Sequence, residues 1–303
     1  MSITIKPATC QLSADDKMTG APLRVGSKDS RAPIGLFDSG VGGLSVYIHL
    51  AEQLPAERYI YYADTLHVPY GNRDSKDIEA LTLTAVEWLY QQGCKLIVIA
   101  CNSASAHALQ TARRCYPQLP IVGLVPALKP AVLASTSGHV AVLATKATLD
   151  GALLNQVISE VAVPKGTRVT KYFDPELVPW VEAGMPETSE TAQRLHQQLQ
   201  VFASADVDYL ILGCTHYPFF KGFLFDEIEA QQLALQVVDS GQAIATRVKS
   251  LLAEQQLLAT IESVSHTEHK GHPLVFYASE NNDRLKNVVQ RLVGPQTQVK
   301  YII

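Results

Sequence analysis

The feature that most constrains this chain is a texture that begins at Pro33. Short runs that are apolar at nearly every position alternate with longer segments whose apolar residues fall at i, i+3 and i+4. The runs are Ile34–Phe37, Tyr59–Ala63, Leu96–Ala100, Ile121–Leu124, Val140–Ala144, Val169–Phe173, Tyr209–Leu212, Leu235–Val238 and Leu274–Tyr277. A strand with one wet face would alternate; a strand apolar on both sides is covered by helices on both faces. Helical spacing predicts those helices near 43–53, 76–92, 103–115, 149–160, 189–203, 242–256 and 281–292. The fold class is therefore α/β with mostly parallel sheets.

At roughly 150 residues per domain, 303 residues suggest two domains, and Pro126 and Pro130 mark a boundary. Residues 1–32 mix charges of both signs, lack the apolar core of a signal peptide and are expected to form a flexible N-terminal extension. With 25 Lys+Arg against 29 Asp+Glu, the net charge of −4 gives no footprint for nucleic acid or an anionic membrane. The run Leu96–Cys101 falls far short of the roughly 20 residues of a membrane span. Five cysteines, an odd number without any Cys-x-x-Cys pair, argue against a disulfide framework or thiolate zinc, and for reduced thiols in the cytoplasm. His266, His269 and His272 lie three apart in a polar connector, a weak metal signature, and no metal is expected.

Ligands of open parallel sheets bind beyond the carboxyl ends of strands, so those ends carry the functional information. The first strand runs into Asp38-Ser39-Gly40-Val41-Gly42-Gly43, and the second into Asp64, followed by Pro69-Tyr70-Gly71. Two others end alike, in Cys101-Asn102-Ser103 and in Cys214-Thr215-His216. The simplest account is two related lobes, each presenting one cysteine at a strand-to-helix turn, with the sulfurs facing across a cleft. A helix N-terminus offers unpaired N–H groups and a positive dipole end, so both thiols are expected to be more acidic than usual.

Two matched thiols suit inversion of a stereocentre: one removes an α-proton and the other returns a proton to the opposite face. A cysteine protease would need one thiol and a histidine base, and pyridoxal chemistry would need a Schiff-base lysine, for which Lys95 and Lys146 offer no supporting motif. Asp38 and His216 are the natural assisting groups. The competing reading is a dinucleotide loop, Gly40-x-Gly42-x-x-Ser45 with Asp64 downstream. Ser45 in place of the third glycine, and the Asp38 carboxylate beside a pyrophosphate position, count against it. Asp64 is read evenly as a turn former or a functional group, Glu182 as a solvated or structural carboxylate, and Cys10, Cys94 and Cys115 as small buried hydrophobes.

These motifs, with Leu177-Val178-Pro179-Trp180-Val181-Glu182 and Val238-Asp239-Ser240-Gly241, resemble in order those of bacterial glutamate racemases, within the aspartate/glutamate racemase family. The resemblance runs from about Pro33 to at least Gly241. It implies two similar α/β lobes with the active site in the cleft between them: 33–126 plus 238–303, carrying Asp38 and Cys101, and 127–237, carrying Cys214 and His216. It implies a cofactor-independent interconversion of L- and D-glutamate for peptidoglycan, with Cys101 and Cys214 as proton donor and acceptor. The implied substrate contacts are Asp38, Ser39, Tyr70, Gly71, Asn102, Ser103, Thr215 and His216. Ser103 stands where the family usually has Thr. His216 stands where related aspartate racemases tend to carry Glu, which favours glutamate over the alternative of aspartate or another amino acid. The resemblance also admits a peptidoglycan-precursor activator and a monomer or homodimer.

Overall fold

The computed structural model describes residues 26–260 and 273–302. Most of the N-terminal extension, Cys10, His266, His269 and His272 lie outside the described residues. The chain divides into two units, one up to Leu124 together with the residues from Gly241 onward, and one spanning Val125–Ser240.

The first unit holds a six-stranded, wholly parallel sheet. Its strands are β1 (Ile34–Asp38), β2 (Tyr59–Ala63), β3 (Leu96–Ile99), β4 (Ile121–Gly123), β9 (Leu274–Ala278) and β10 (Val299–Ile302), in the order β10-β9-β2-β1-β3-β4. β1 and β3 are buried along their whole lengths, as strands apolar at every position should be. Helices α1 (Leu44–Gln53), α2 (Ser75–Gln91), α3 (Asn102–Cys115), α10 (Gly241–Glu254) and α11 (Asp283–Val293) flank it, α2 packing on α3 and α1 on α10 and α11. At the opening of β3, the wholly buried Lys95 donates from Nζ to Glu57 Oε2 (2.5 Å), Ser30 O (2.5 Å) and Leu257 O (2.8 Å). Glu57 Oε1 accepts in turn from Ala259 N–H (2.9 Å), so one buried ion pair ties both chain segments that flank the sheet to its floor.

The second unit holds a four-stranded parallel sheet of β5 (His139–Leu143), β6 (Arg168–Tyr172), β7 (Tyr209–Leu212) and β8 (Gln236–Val238), in the order β6-β5-β7-β8. Its helices are α4 (Leu128–Ala134), α5 (Lys146–Asp150), α6 (Ala152–Val157), α7 (Leu177–Glu182), α8 (Glu190–Ser204) and α9 (Lys221–Ala230). Taken in chain order, the four strands of this sheet repeat the central order of the first: second, first, third, fourth. In both sheets the cysteine follows the third strand, where the chain crosses to the other side of the first. That crossing is a topological switch point, the usual binding crevice of an open α/β sheet.

The structure corrects several expectations. The single helix expected over 149–160 is broken at Gly151, whose extended backbone separates α5 from α6, and it continues into a π-helical turn at Ile158–Ala162. Helices α4, α7 and α9 and strand β10 were not anticipated. Pro130 and Pro179 fall in the first turns of α4 and α7, where proline is tolerated although in sequence it reads as a breaker. No helix among the described residues is long and apolar enough to cross a membrane.

Candidate active site

In the first unit, four neighbouring strands deliver their chemistry to one edge. β9, β2, β1 and β3 lie side by side in register, with Ala278 opposite Ala63, Ala63 opposite Asp38, and Phe37 opposite Ile99. Ala100 then falls opposite Asp38, and one step further along this register Ser279, Asp64, Ser39 and Cys101 are neighbours. The ladder extends past the strands through Ser279 N–H to Ala63 O (2.9 Å), Asp64 N–H to Asp38 O (3.1 Å) and Ala100 N–H to Phe37 O (2.7 Å).

The glycine loop after β1 serves this edge. Asp38 Oδ1 accepts from Gly40 N–H at 2.6 Å, which occupies with a carboxylate the N–H that a pyrophosphate would need. Gly43 has an ordinary helical backbone, but a Cβ there would lie 2.7 Å from Ala100 O and 2.8 Å from the Tyr61 hydroxyl. Its smallness lets the loop press against the end of β3, beside Cys101. Gly43 is thus accounted for by close packing and the Gly40 N–H by its bond to Asp38, which both count against a dinucleotide loop.

Cys101 is itself the N-cap of α3, its Sγ accepting from Ala104 N–H at 3.4 Å, with Ser39 Oγ 3.6 Å away. The expected acidic thiol is corrected here. Burial and the nearby Asp38 carboxylate push the Cys101 thiol up to about 12, outweighing the N–H groups of Ala104 and Ser39 and the Ser39 hydroxyl. Sequence shows the helix N-terminus and names Asp38 as a neighbour, but it does not show the burial that dominates. Asn102 and Ser103 follow, both buried, and Asn102 Oδ1 has no hydrogen-bond partner. Tyr70, in a short 3-10 turn with Gly71, is buried and donates from its hydroxyl to Asp64 Oδ2 at 2.7 Å. Asp64 is a hydrogen-bonding hub, since it also accepts from Ser279 Oγ (2.9 Å) and meets His67 Nδ1 (2.8 Å).

In the second unit, Cys214 and Thr215 are buried just beyond β7, with Gly213 preceding them because a Cβ there would meet Ala144 Cβ at 2.9 Å. The chain here does not enter an α-helix directly. It turns through Thr215 and His216 into a 3-10 segment, Tyr217–Phe220, before α9, so the two cysteine turns are not equivalent and the helix-dipole argument fails for Cys214. His216 is the principal neighbour instead. Burial alone would lower its pKa, but hydrogen bonds to Cys214 and Glu182, and their charge, push it up to about 10. His216 Nε2 lies 3.1 Å from Glu182 Oε1 on α7. Glu182, read from sequence as a solvated or structural carboxylate, is half-exposed and makes its contact with His216. The two residues are 34 positions apart, and only the fold joins them.

Of the other cysteines, Cys94 is a buried thiol pushed up to about 12 by burial alone, and it packs 2.9 Å from where a Gly35 Cβ would sit. Cys115 is buried at the last turn of α3, as expected of a small apolar side chain. Cys94, Cys101 and Cys214 are free. Among the described residues no group of three His, Cys, Asp or Glu is placed to hold a metal ion.

The model of the Asp/Glu/Hydantoin racemase family matches residues 34–248, more than half the chain and all the strand ends just described except that of β9. A glutamate racemase of Deinococcus radiodurans is 49% identical over 229 residues, covering 76% of this chain and 78% of that one. The chain belongs to this racemase family. Among solved structures, this racemase is similar to the glutamate racemase isoform RacE1 of Bacillus anthracis (TM-score 0.76, 26% identity, 90% of this chain and 98% of that one). It is also similar to the Escherichia coli glutamate racemase in complex with L-glutamate and the activator UDP-MurNAc-ala (TM-score 0.71, 27% identity, covering 89% and 97%). The matched segment thus takes in β1 to β8 and both cysteine turns.

Proposed function

We infer that this isomerase interconverts L- and D-glutamate by α-proton transfer between Cys101 and Cys214, without a cofactor or metal. The observation that carries the reading is a buried thiol after the third strand of each sheet, each beside an ionisable partner of opposite character: Asp38 for Cys101, His216 for Cys214. The anionic neighbour keeps Cys101 as a thiol, the form that donates. The His216 imidazolium supplies the countercharge that a thiolate at Cys214 requires as the form that accepts.

The steps balance. The Cys214 thiolate takes the α-proton, leaving the electron pair on the α-carbon and a thiol at 214. The Cys101 thiol then gives its proton to the opposite face and becomes the thiolate, and the reverse reaction exchanges the roles. Ser39, Tyr70, Gly71, Asn102, Ser103 and Thr215 would hold the carboxylates and ammonium. The unpartnered Asn102 Oδ1 offers an acceptor for the ammonium, and hydrogen bonds to the α-carboxylate lower the cost of the developing carbanion.

The test is circular dichroism of L- and D-glutamate in D₂O with purified enzyme, followed by mass measurement of α-deuterium. Decay of optical activity with one deuterium incorporated is expected; unchanged glutamate, with and without UDP-MurNAc-alanine, would overturn the reading. The E. coli relative is described with that activator, and a rise in kcat/KM on its addition here would extend activation to this chain. Aspartate is the second substrate to compare, and turnover preferring it would move the assignment to the aspartate branch. The product suits peptidoglycan precursors made in the cytoplasm, and the protein would act there as a monomer or homodimer.

A further inference from the structure

We propose that Ser279, from the C-terminal strand β9 and outside the segment matched by the family model, is a positioning residue of the racemase site. Its hydroxyl donates to Asp64 Oδ1 at 2.9 Å, and the other oxygen of that carboxylate accepts from the Tyr70 hydroxyl at 2.7 Å. The same Ser279 oxygen accepts from Leu66 N–H at 2.8 Å, inside the loop that runs from Asp64 to Tyr70. The next residue fastens the loop a second time: Thr65 Oγ1 donates to Glu280 O at 2.6 Å and accepts from Glu280 N–H at 2.9 Å. His67 Nδ1, 2.8 Å from Asp64 Oδ1, completes the surroundings of the carboxylate.

The geometry gives Ser279 a defined task. Asp64 has two oxygens, and an aspartate on a strand end is free to rotate about its side-chain bonds unless both are held. Ser279 fixes Oδ1, which leaves Oδ2 aimed at the Tyr70 hydroxyl and so fixes the turn that presents Tyr70 and Gly71. A charge-assisted hydrogen bond of this kind is about twice as strong as a neutral one and is correspondingly effective in orienting its partners. The inference rests on the proposed substrate contacts of Tyr70 and Gly71.

The test is steady-state racemisation, with thermal melting as a control, for Ser279→Ala, Ser279→Thr, Tyr70→Phe and the Ser279→Ala/Tyr70→Phe double variant of the full chain. Ser279→Ala and Tyr70→Phe are each expected to raise KM for glutamate by about five- to tenfold, with kcat changed less than about twofold. Ser279→Thr, which keeps the hydroxyl, restores KM, and the double variant matches Tyr70→Phe alone because both substitutions break one chain of bonds. If Tyr70→Phe raises KM and Ser279→Ala does not, or if the two effects multiply in the double variant, the positioning role is overturned while the loop contacts stand. If Tyr70→Phe and Ser279→Ala both keep the parental KM, the assignment of the loop to substrate binding fails as well. A lowered melting temperature with unchanged KM in Ser279→Ala marks a purely structural hydroxyl and overturns the inference. Should Ser279→Ala fail to fold, Ser279→Thr at parental KM beside a raised KM for Tyr70→Phe supports the role, and Ser279→Thr matching Tyr70→Phe refutes it.

Discussion

Neutralising Glu182 tests the electrostatics around Cys214 and His216. In Glu182→Gln the His216 imidazolium loses one of the two groups that hold it charged, while the shape of the contact is kept. At 3.1 Å and an effective dielectric constant of about 20, opposite unit charges attract by roughly 5 kcal/mol. The Glu182 side chain is 39% exposed, so water removes most of that. About 1–2 kcal/mol remains, enough to lower the pKa of His216 by about one pH unit. Cys214 continues to raise it. The assay is the pH dependence of kcat/KM, read beside NMR titration of the His216 ring, whose signal is identified by its loss in His216→Asn. The parental enzyme is expected to lose activity as pH rises through about 10, and the variant about one pH unit earlier. Because the folded-state pKa lies above the ordinary 6.5, the pair stabilises the fold fully below 6.5 and loses that contribution as pH climbs through about 10. The variant should therefore be less stable than the parent at pH 6 and indistinguishable from it above pH 10. An alkaline limb and a His216 titration that both stay in place would refute the argument.

Three further outcomes follow from the same geometry. Cys101→Ser and Cys214→Ser each abolish racemisation in the circular dichroism assay, whereas Cys94→Ala keeps most of it; substantial activity in either serine variant would break the pairing. Gly43→Ala costs about 1–3 kcal/mol in denaturant melts because its Cβ meets the Ala100 carbonyl, a backbone group that cannot step aside, and an unchanged midpoint would show that the contact relaxes freely. Lys95→Met strands the Glu57 carboxylate in the interior and costs about 3–5 kcal/mol, part of which Lys95→Met/Glu57→Gln recovers; a double variant no more stable than the single one would deny that the buried charge is the cause.

The central strands were legible because burial on both faces writes itself as an unbroken apolar run, and the strand ends named most of the candidate residues. Other elements left a weaker mark. In α9 only Leu224 is buried, so no apolar stripe announces the helix, and in β10 Lys300 interrupts a run at the very end of the chain. What sequence cannot carry is pairing across the fold. His216 meets Glu182 only because α7 passes beside the turn after β7. Ser279 gains a role only because β9 lies against β2. Cys101 looked acidic from its helix, and its burial beside Asp38 reverses that.

The discontinuity of the first unit bears on how the protein forms. Its sheet begins with the first strand of the described chain and is completed by two of the last, and the Ser279–Asp64 bond closes a span of 215 residues. Contacts of such long range come at a large loss of chain entropy, and folding of Val125–Ser240 into its compact unit first would reduce it by shortening the effective loop. Assembly ordered in this way would give a nascent chain that holds both candidate thiols, Cys101 and Cys214, before it holds β9 and the Ser279 that meets Asp64. Activity should then emerge only once β9 and β10 have been made, and a pulse-labelled chain would acquire protease resistance over Val125–Ser240 before it acquires turnover.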